Sequence, residues 1–558
     1  MLINCHLSNA LSLWEKYKNN LSEDIKNQME NNSQNIPLNI NEVYNKCLIQ
    51  IEDIILSLGG EQLEKYGLPQ PLRENNANFH REYFIETNYD IESLERNVIN
   101  KEKTLTNEQR NIYNQIIHSA ENNSGQVFFL DAPGGTGKTF LINLLLQNIR
   151  SHNNIALAVA SSGIAATLLD GGKTAHATFK LPFDFMHHET PVCKISKQSH
   201  LAQILRECQL IVWDESTMMH KNGFDALNRS LQDIRSNDCL MGGLTILLAG
   251  DFRQTLPVVP RGTRADEVKA CLKSSYLWQL TKKLSLKQNM RVHLMGDESA
   301  KEFSKILLQI GDGNYNEVQG KIIIPSKLGI VVKTLDELIS QIYPDIRNIK
   351  NKSNDWFCER AILTPKNENA TNINNTILES FDTPEMQYVS IDSVENVEDA
   401  VNYPVEFLNS LNPPGFPAHK ITLKIGTPVI LLRNFKPPKL CNGTRLRIKT
   451  LHRNVIEATI ITGCGQGEST FIPRIPLISN DYPFNFKRLQ FPLKLSFAIT
   501  INKSQGQSLK LAGIDLRESC FSHGQFYVAC SRVSSPKNLY ILTPNGKTSN
   551  VVYKEVLR

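Results

Sequence analysis

The 558-residue chain contains no Cys-x-x-Cys pair, no His-x-His pair and no His-Glu-x-x-His run. Its eleven cysteines are odd in number and irregular in spacing, which argues against a disulfide framework and a zinc site alike and fits a reducing compartment. Long apolar runs are missing too. No stretch reaches the roughly 18 apolar residues of a membrane-spanning helix, and the N-terminal MLINCHLSNALSLWEKYK has no apolar core before its charges. The chain therefore reads as a soluble, non-secreted protein with no membrane partner. Nor does one sign of charge dominate, since a net charge of +5 at this length says almost nothing about partners unless it clusters. With 41% hydrophobic and 21% charged residues, neither disorder nor a coiled coil is indicated. The length calls for roughly three or four folding units.

What is present begins with FFLDAPGGTGKTF, Phe128 to Phe140, an apolar strand running into a glycine-rich turn that opens a helix. Backbone N–H groups of Gly134, Gly135, Thr136, Gly137 and Lys138 at such a helix start form an anion-binding concavity, and the helix dipole favours negative charge there. Lys138 is placed to reach the β- and γ-phosphates of a nucleotide, and the Thr139 hydroxyl to ligate Mg²⁺. Ala132 stands where the first glycine of this pattern usually is, and as the smallest side chain after glycine it costs little. LIVWDES, Leu210 to Ser216, is a buried strand ending in two acids. Asp214 is assigned to hold Mg²⁺ through water, and Glu215 to orient or deprotonate an attacking water. LTILLAGDFRQTLPVVP repeats the design and sets Gln254 on the loop beyond a strand, a position suited to the γ-phosphate or the water. Strands alternating with helices predict a parallel α/β sheet with its ligands at the carboxyl ends of the strands.

The flanking segments are read by periodicity. Val43, Cys47, Ile51, Ile54 and Leu58 recur at helical spacing before Gly59-Gly60. LTNEQRNIYNQII starts a helix with Thr106 or Asn107 as N-cap, Gln109 in its first turn, and Ile112, Tyr113, Ile116 and Ile117 buried. Beyond the phosphate loop come a helix LINLLLQNIRS, a strand IALAVA and a helix from SSGIAATLL. A loop, GGKTAHATFKLP, then brings together Thr174, His176, Phe179 and Lys180, which suit a phosphodiester and a stacked base; the alternative is a packed loop with Phe179 in the core. From about residue 295 a second α/β unit is expected, with a helix through Phe303, Ile306, Leu307 and Ile310, strands GIVVK and RAILTP, and a helix from Asn367 burying Ile373 and Ile377. It resumes at LSFAITINKSQGQSL, with Lys503, Ser504, Gln505 and Gly506 on a loop entering a helix, and closes with a short helix ending at Arg532. Arg291 and Arg532 suit a γ-phosphate at a domain interface, because guanidinium stays charged when desolvated. Between Phe407 and Ile456 there is no Asp or Glu but nine Lys or Arg, including Arg445, Arg447 and Lys449. Short strands with Gly and Pro turns there predict a small β-barrel insert whose basic face meets nucleic acid.

The separated motifs FLDAPGGTGKTFL, ASSGIAATLLDGGKTAH, WDESTM, LLAGDFRQTLPVVPRGT, LCNGTRL, INKSQGQSL and GQFYVACSR resemble superfamily 1B DNA helicases of the petite-integration-frequency (PIF) type. The resemblance runs from Leu105 to the end and looks greatest to the helicase region of Helitron transposons. It implies an α/β fold of two RecA-like P-loop domains, 101–294 and then 295–405 with 491–558, with the insert at 406–490 and a helical region at 1–100. ATP and Mg²⁺ would lie in the cleft between the two domains. Gln109 would read adenine, Gln254 would sense the γ-phosphate, and Arg291 and Arg532 would be arginine fingers. Single-stranded DNA would touch Thr174, His176 and Phe179 of the first domain and Lys503 and Ser504 of the second. The family would move 5′ to 3′ and open tailed duplexes in replication, recombination, repair or transposition, in the nucleus of a eukaryote. The rolling-circle nuclease of a complete Helitron protein needs two histidines one residue apart, and no such pair occurs. Two other readings are an ATPase acting on RNA or protein–DNA complexes, and an inactive transposon relic that only binds single strands. The relic predicts decay of the chemical groups, yet Lys138, Thr139, Asp214, Glu215, Arg291 and Arg532 are all intact.

Overall fold

The computed structural model describes residues 10–26, 40–57, 62–72, 83, 86–182, 190–290, 298–395, 402–436, 439–479 and 482–558. They cluster into two units, one of residues 1–78, 382–461 and 465–495, the other of residues 79–381, 462–464 and 496–558.

The larger unit is built on two parallel sheets. In the first, β1 (Val127–Asp131), β2 (Ile155–Ala160), β3 (Lys173–Thr174), β4 (Cys208–Asp214), β5 (Thr245–Gly250) and β6 (Lys282–Ser285) lie in the order β3-β2-β4-β5-β1-β6. Strand alternation splits the apolar side chains between two layers. Phe128 and Leu130 join Leu141 and Leu145 of the following helix on one face, while Val127 and Phe129 join Trp213 and Phe252 on the other. A sheet covered on both faces requires such continuous apolar strands, and β2 and β5 are buried at every position. The second sheet orders Ala498–Thr500, Arg360–Thr364, Leu511–Asp515, Leu539–Leu542 and Ile330–Val332, again all parallel. Helix Glu298–Gly311 buries Phe303 and Ile310, and helix Asn367–Glu379 buries Ile373 and Ile377, as their spacing predicts.

Three local expectations change. The segment after Gly171 holds β3 and a short helix, Ala175–Phe179, rather than a loop. After Thr500 comes one 3₁₀ turn, Ile501–Ser504, followed by strand Leu511–Asp515 and not a helix. Helix Gln525–Cys530 stops two residues before Arg532.

The smaller unit contains helices Ala10–Leu21 and Ile40–Ser57 around Trp14, Val43, Cys47 and Leu63. Leu58 and the expected stop at Gly59-Gly60 lie outside the described residues. Its strands are antiparallel and begin at Glu385, not at residue 406. They make a five-stranded, a three-stranded and a two-stranded sheet rather than one closed ring among the described residues. A boundary at residue 100 also fails, because helix Ile91–Glu102 belongs to the larger unit, where Lys101 donates to Gln147 of the helix after the phosphate loop at 3.1 Å.

Candidate nucleotide site and nucleic-acid-facing segments

The phosphate loop leaves β1 and turns into helix Lys138–Ser151. Gly135 (φ 87°) and Gly137 (φ 84°) hold left-handed backbone that favours glycine. A Cβ on Gly137 would sit 2.6 Å from Nε2 of Gln109, so glycine there also makes room for that amide. Thr106 caps the preceding helix, Asn107–Glu121, in a reciprocal capping box with Gln109. The remaining end of the Gln109 amide donates to the Thr136 carbonyl at 3.2 Å. Gln109 is thus buried against the phosphate loop, with one N–H and one lone pair uncommitted by these bonds. Ala132 is buried and its N–H donates to Gly250 at the end of β5 (3.0 Å), so its methyl group is accommodated.

Lys138 donates to Asp214 Oδ1 at 2.5 Å and to Glu215 Oε1 at 2.9 Å. All three groups are nearly out of water, with side chains 12%, 3% and 4% exposed. Burial opposes the lysine charge, but the two carboxylates outweigh it and hold its pKa above the ordinary value. Burial also raises Asp214, with the neighbouring Glu215 charge adding to it. Glu215 is driven the other way: burial opposes its charge, yet Lys138 and a hydrogen bond from Gln505 hold it below the usual carboxylate range. It is therefore an ionised base near neutrality. Its backbone sits at φ 49°, an uncommon left-handed conformation for a glutamate, at the turn that ends β4. Thr139, half-buried in the first helical turn, and Asp214 supply hard oxygen donors of the kind Mg²⁺ takes.

The second sheet brings its own groups to this place. Gln505 donates to Glu215 Oε2 at 2.8 Å and accepts from the Thr255 hydroxyl at 2.5 Å. Gln254 is buried beside Thr255, and its Oε1 has no hydrogen-bond partner. An unpaired buried acceptor costs about 1–3 kcal/mol, which fits a group completed by a ligand or its attacking water. Arg532 donates to the carbonyls of Val528 (2.8 Å), Ser504 (3.3 Å) and Gln507 (2.9 Å), so contact with a γ-phosphate requires it to leave them. Arg291 lies outside the described residues. Sequence reading missed a further set of contacts: Tyr527 donates to buried Asp251 at 2.9 Å, and Arg253 joins Asp251 to Asp312. The Tyr527–Asp251 and Arg253–Asp312 pairs lie 276 and 59 residues apart, so no local pattern marks them.

The nucleic-acid candidates divide. Thr174 and His176 remain partly exposed, and burial lowers the His176 pKa, so its ring is neutral near pH 7. Phe179 does not: it is 0% exposed and packs on Trp213 at 5.5 Å, so it belongs to the core and stacks on no base. Lys503 is half-buried, whereas the Ser504 side chain is buried and its hydroxyl donates to Ile501, which removes it as a strand contact. In the smaller unit, Arg445 is 1% exposed within strand Arg445–Leu451 and cannot form part of a basic face. Arg447 is half-buried and donates to the Gly426 carbonyl. Lys449 is exposed, but its ammonium is 2.6 Å from Glu457, and Lys439 is likewise 2.6 Å from Glu468.

Residues 104–321 match the model of the PIF1-like helicase family, and residues 406–451 match that of the DNA helicase Pif1 2B domain. The ATP-dependent DNA helicase Pif1 of Campylobacter jejuni is 27% identical over 77% of this chain and 92% of its own length. The crystal structure of Pif1 helicase from Candida albicans superposes with a TM-score of 0.58 at 22% identity, over 81% of this chain and 98% of that one. The Bacteroides Pif1 helicase solved in complex with ADP-AlF3 and ssDNA gives 0.57 at 22% identity, over 81% and 94%.

Proposed function

We propose that this chain, which matches the PIF1-like helicase family model over residues 104–321, hydrolyses ATP to move along single-stranded DNA and open tailed duplexes. The observation that carries this reading is the placement of Lys138 on both Asp214 and Glu215, with Gln505 of the second sheet's loop closing over the same carboxylate. In this arrangement the two carboxylates hold the lysine charge that nucleotide phosphates would otherwise balance. An incoming triphosphate takes the lysine through its phosphate oxygens and the backbone N–H groups of Gly134 to Lys138. Glu215, freed from the lysine, keeps its charge through Gln505 and accepts the proton of the attacking water, while Gln254 orients that water. Mg²⁺, held through Thr139 and Asp214, would neutralise phosphate charge. Arg532 then leaves the carbonyls of Ser504 and Gln507 for the γ-phosphate, and its return after hydrolysis resets the loop that carries Lys503.

The family resemblance supports 5′ to 3′ movement. The wording of the motifs supports the helicase part of a Helitron-type transposon as the setting, with replication, recombination and repair as the others; each of these belongs in the nucleus if the source is a eukaryote. The test is unwinding of duplexes carrying a 5′ or a 3′ DNA tail, with an RNA tail as third substrate. Opening of the 5′-tailed DNA duplex alone is expected. ATP hydrolysis stimulated by the RNA tail, with no DNA strand separation, would sink the DNA helicase reading.

A further inference from the structure

His523 is wholly buried, and both of its ring nitrogens are committed. A carbonyl can only accept, so Nε2 carries the proton and donates to the Phe252 carbonyl at 2.7 Å; Nδ1 then accepts from the Tyr553 N–H at 2.8 Å. Tyr553 is itself anchored. It joins Val556, Phe252 and Leu256 in the core beside the first sheet. Its ring lies 4.7 Å from the Arg264 guanidinium, which donates to both carboxylate oxygens of Glu555 at 2.8 and 2.7 Å. The imidazole is therefore held from behind by chain that follows the second sheet's strand Leu539–Leu542 yet packs on the first.

Phe252 belongs to the run Asp251 to Thr255, which leaves β5 and carries Gln254. This loop is met repeatedly from the second-sheet part of the chain. Tyr527 donates to Asp251 at 2.9 Å, His523 to the Phe252 carbonyl, and Arg253 reaches Asp312 at 2.7 Å. Gly524 (φ 71°) lies so close that a Cβ would sit 2.3 Å from the Arg253 carbonyl oxygen and 2.7 Å from the Gln254 carbonyl carbon. The Gln254 side chain differs from its neighbours: its Oε1 has no hydrogen-bond partner among the described residues, so at that atom only the backbone beneath places it.

Resting on the reading of Gln254 as the group that orients the attacking water, we propose that His523 is a positioning residue, which fixes the Gln254 loop through the Phe252 carbonyl in the shape that aims Gln254 at that water. A peptide unit is planar, so the bond to one carbonyl sets the whole Phe252–Arg253 plane, and the Gln254 backbone follows from it. Released from His523, that plane can turn. A displacement of about 1 Å at a group that orients a reactant is enough to slow the reaction without weakening binding.

The experiment compares His523→Asn with His523→Gln, in the full chain and again on a Gln254→Ala background, measuring Tm and the kcat and KM of ATP hydrolysis with saturating oligo-dT. Counting bonds from Cβ, the amide of Asn ends where Nδ1 lies and that of Gln where Nε2 lies. Asn therefore keeps only the Tyr553 bond and Gln only the Phe252 bond. Each leaves one buried backbone group unpaired, so both should lower Tm alike. Their kcat should part. His523→Asn is expected to fall about tenfold with KM for ATP within about twofold, and His523→Gln to stay within about threefold of wild type. On the Gln254→Ala background His523→Asn should cost nothing further, because the group it positions is gone. If both variants melt before assay, Arg264→Ala carries the test: its side chain is exposed, it loosens Tyr553 from outside, and its smaller fall in kcat should also vanish without Gln254. Equal kcat in the Asn and Gln variants, or falls that multiply with that of Gln254→Ala, would overturn the proposal. Wild-type kcat in Gln254→Ala would remove the role of Gln254 and the proposal with it, whereas no hydrolysis by wild type would remove the proposed function itself.

Discussion

The nucleotide cleft and the basic segment of the smaller unit carry similar local signals, dense motifs of polar residues at telling positions, yet the folded chain treats them differently. In the cleft, Lys138 opens the helix that follows β1 and the acid pair Asp214–Glu215 lies at the end of β4, and parallel pairing of β4 with β5 and β5 with β1 brings those strand ends to one edge of the sheet. The fold supports what the motif announces. In the basic segment, the acid-free window from Phe407 to Ile456 ends one residue short of Glu457, and the next hairpin brings back Glu457 and Glu468 to neutralise Lys449 and Lys439. Antiparallel pairing returns the chain onto itself within a few residues, so a window empty of acids along the sequence is not empty in space. Charge counted along a chain is informative only where the strand's neighbours are known.

The contrast is broken most severely by Lys138→Ala. The charge balance of two buried carboxylates depends on it, and, on the proposed role in phosphate binding, ATP hydrolysis should fall by at least about 10²-fold in a steady-state assay. Its effect on stability has a sign. Glu215, held low by Lys138, contributes stability above its unfolded pKa that is lost as pH falls through the lowered value. Without the lysine, burial pushes both carboxylates up, so each proton taken favours the folded state. The gap in Tm between wild type and Lys138→Ala should therefore widen from about pH 5 to about pH 7, and a gap that narrows would contradict the charge assignment.

In the basic segment the expected effects are smaller and split by burial. Arg445→Ala removes a buried side chain and should destabilise the smaller unit by about 1–3 kcal/mol in denaturant unfolding. Lys449→Ala should leave unfolding unchanged and, because its ammonium already pairs with Glu457, should alter the salt slope of DNA binding by less than about 1. If instead Lys449→Ala flattened the salt dependence by a full unit, the ion pair opens on DNA and the basic face is restored.

Much of the larger unit was legible beforehand for a physical reason. Buried parallel strands need continuous apolar runs, phosphate loops need glycine, and helix Asn107–Glu121 announces itself by Thr106 and its apolar spacing. What escaped notice depends on pairs distant in the chain. Phe179 looked equally suited to stacking and to packing, and only the ring of Trp213 beneath it decides. Ser504 looked like a contact because hydroxyls often are, but its proton goes to Ile501 three residues back. Gln505 was visible on its loop without a role, since Glu215 and Thr255 lie some 290 and 250 residues away. The start of the strands at Glu385 rather than residue 406 was hidden because Glu385–Val389 finds its partner only in Lys420–Lys424.

The measurement that bears most directly on the whole account is ATP hydrolysis by wild type and Glu215→Gln, with no nucleic acid and with single-stranded DNA. The account predicts strong stimulation of wild type by DNA and a fall of about 10²-fold or more in the variant, with nucleotide binding retained. Equal hydrolysis by both proteins, or none by wild type while DNA is still bound, would contradict it.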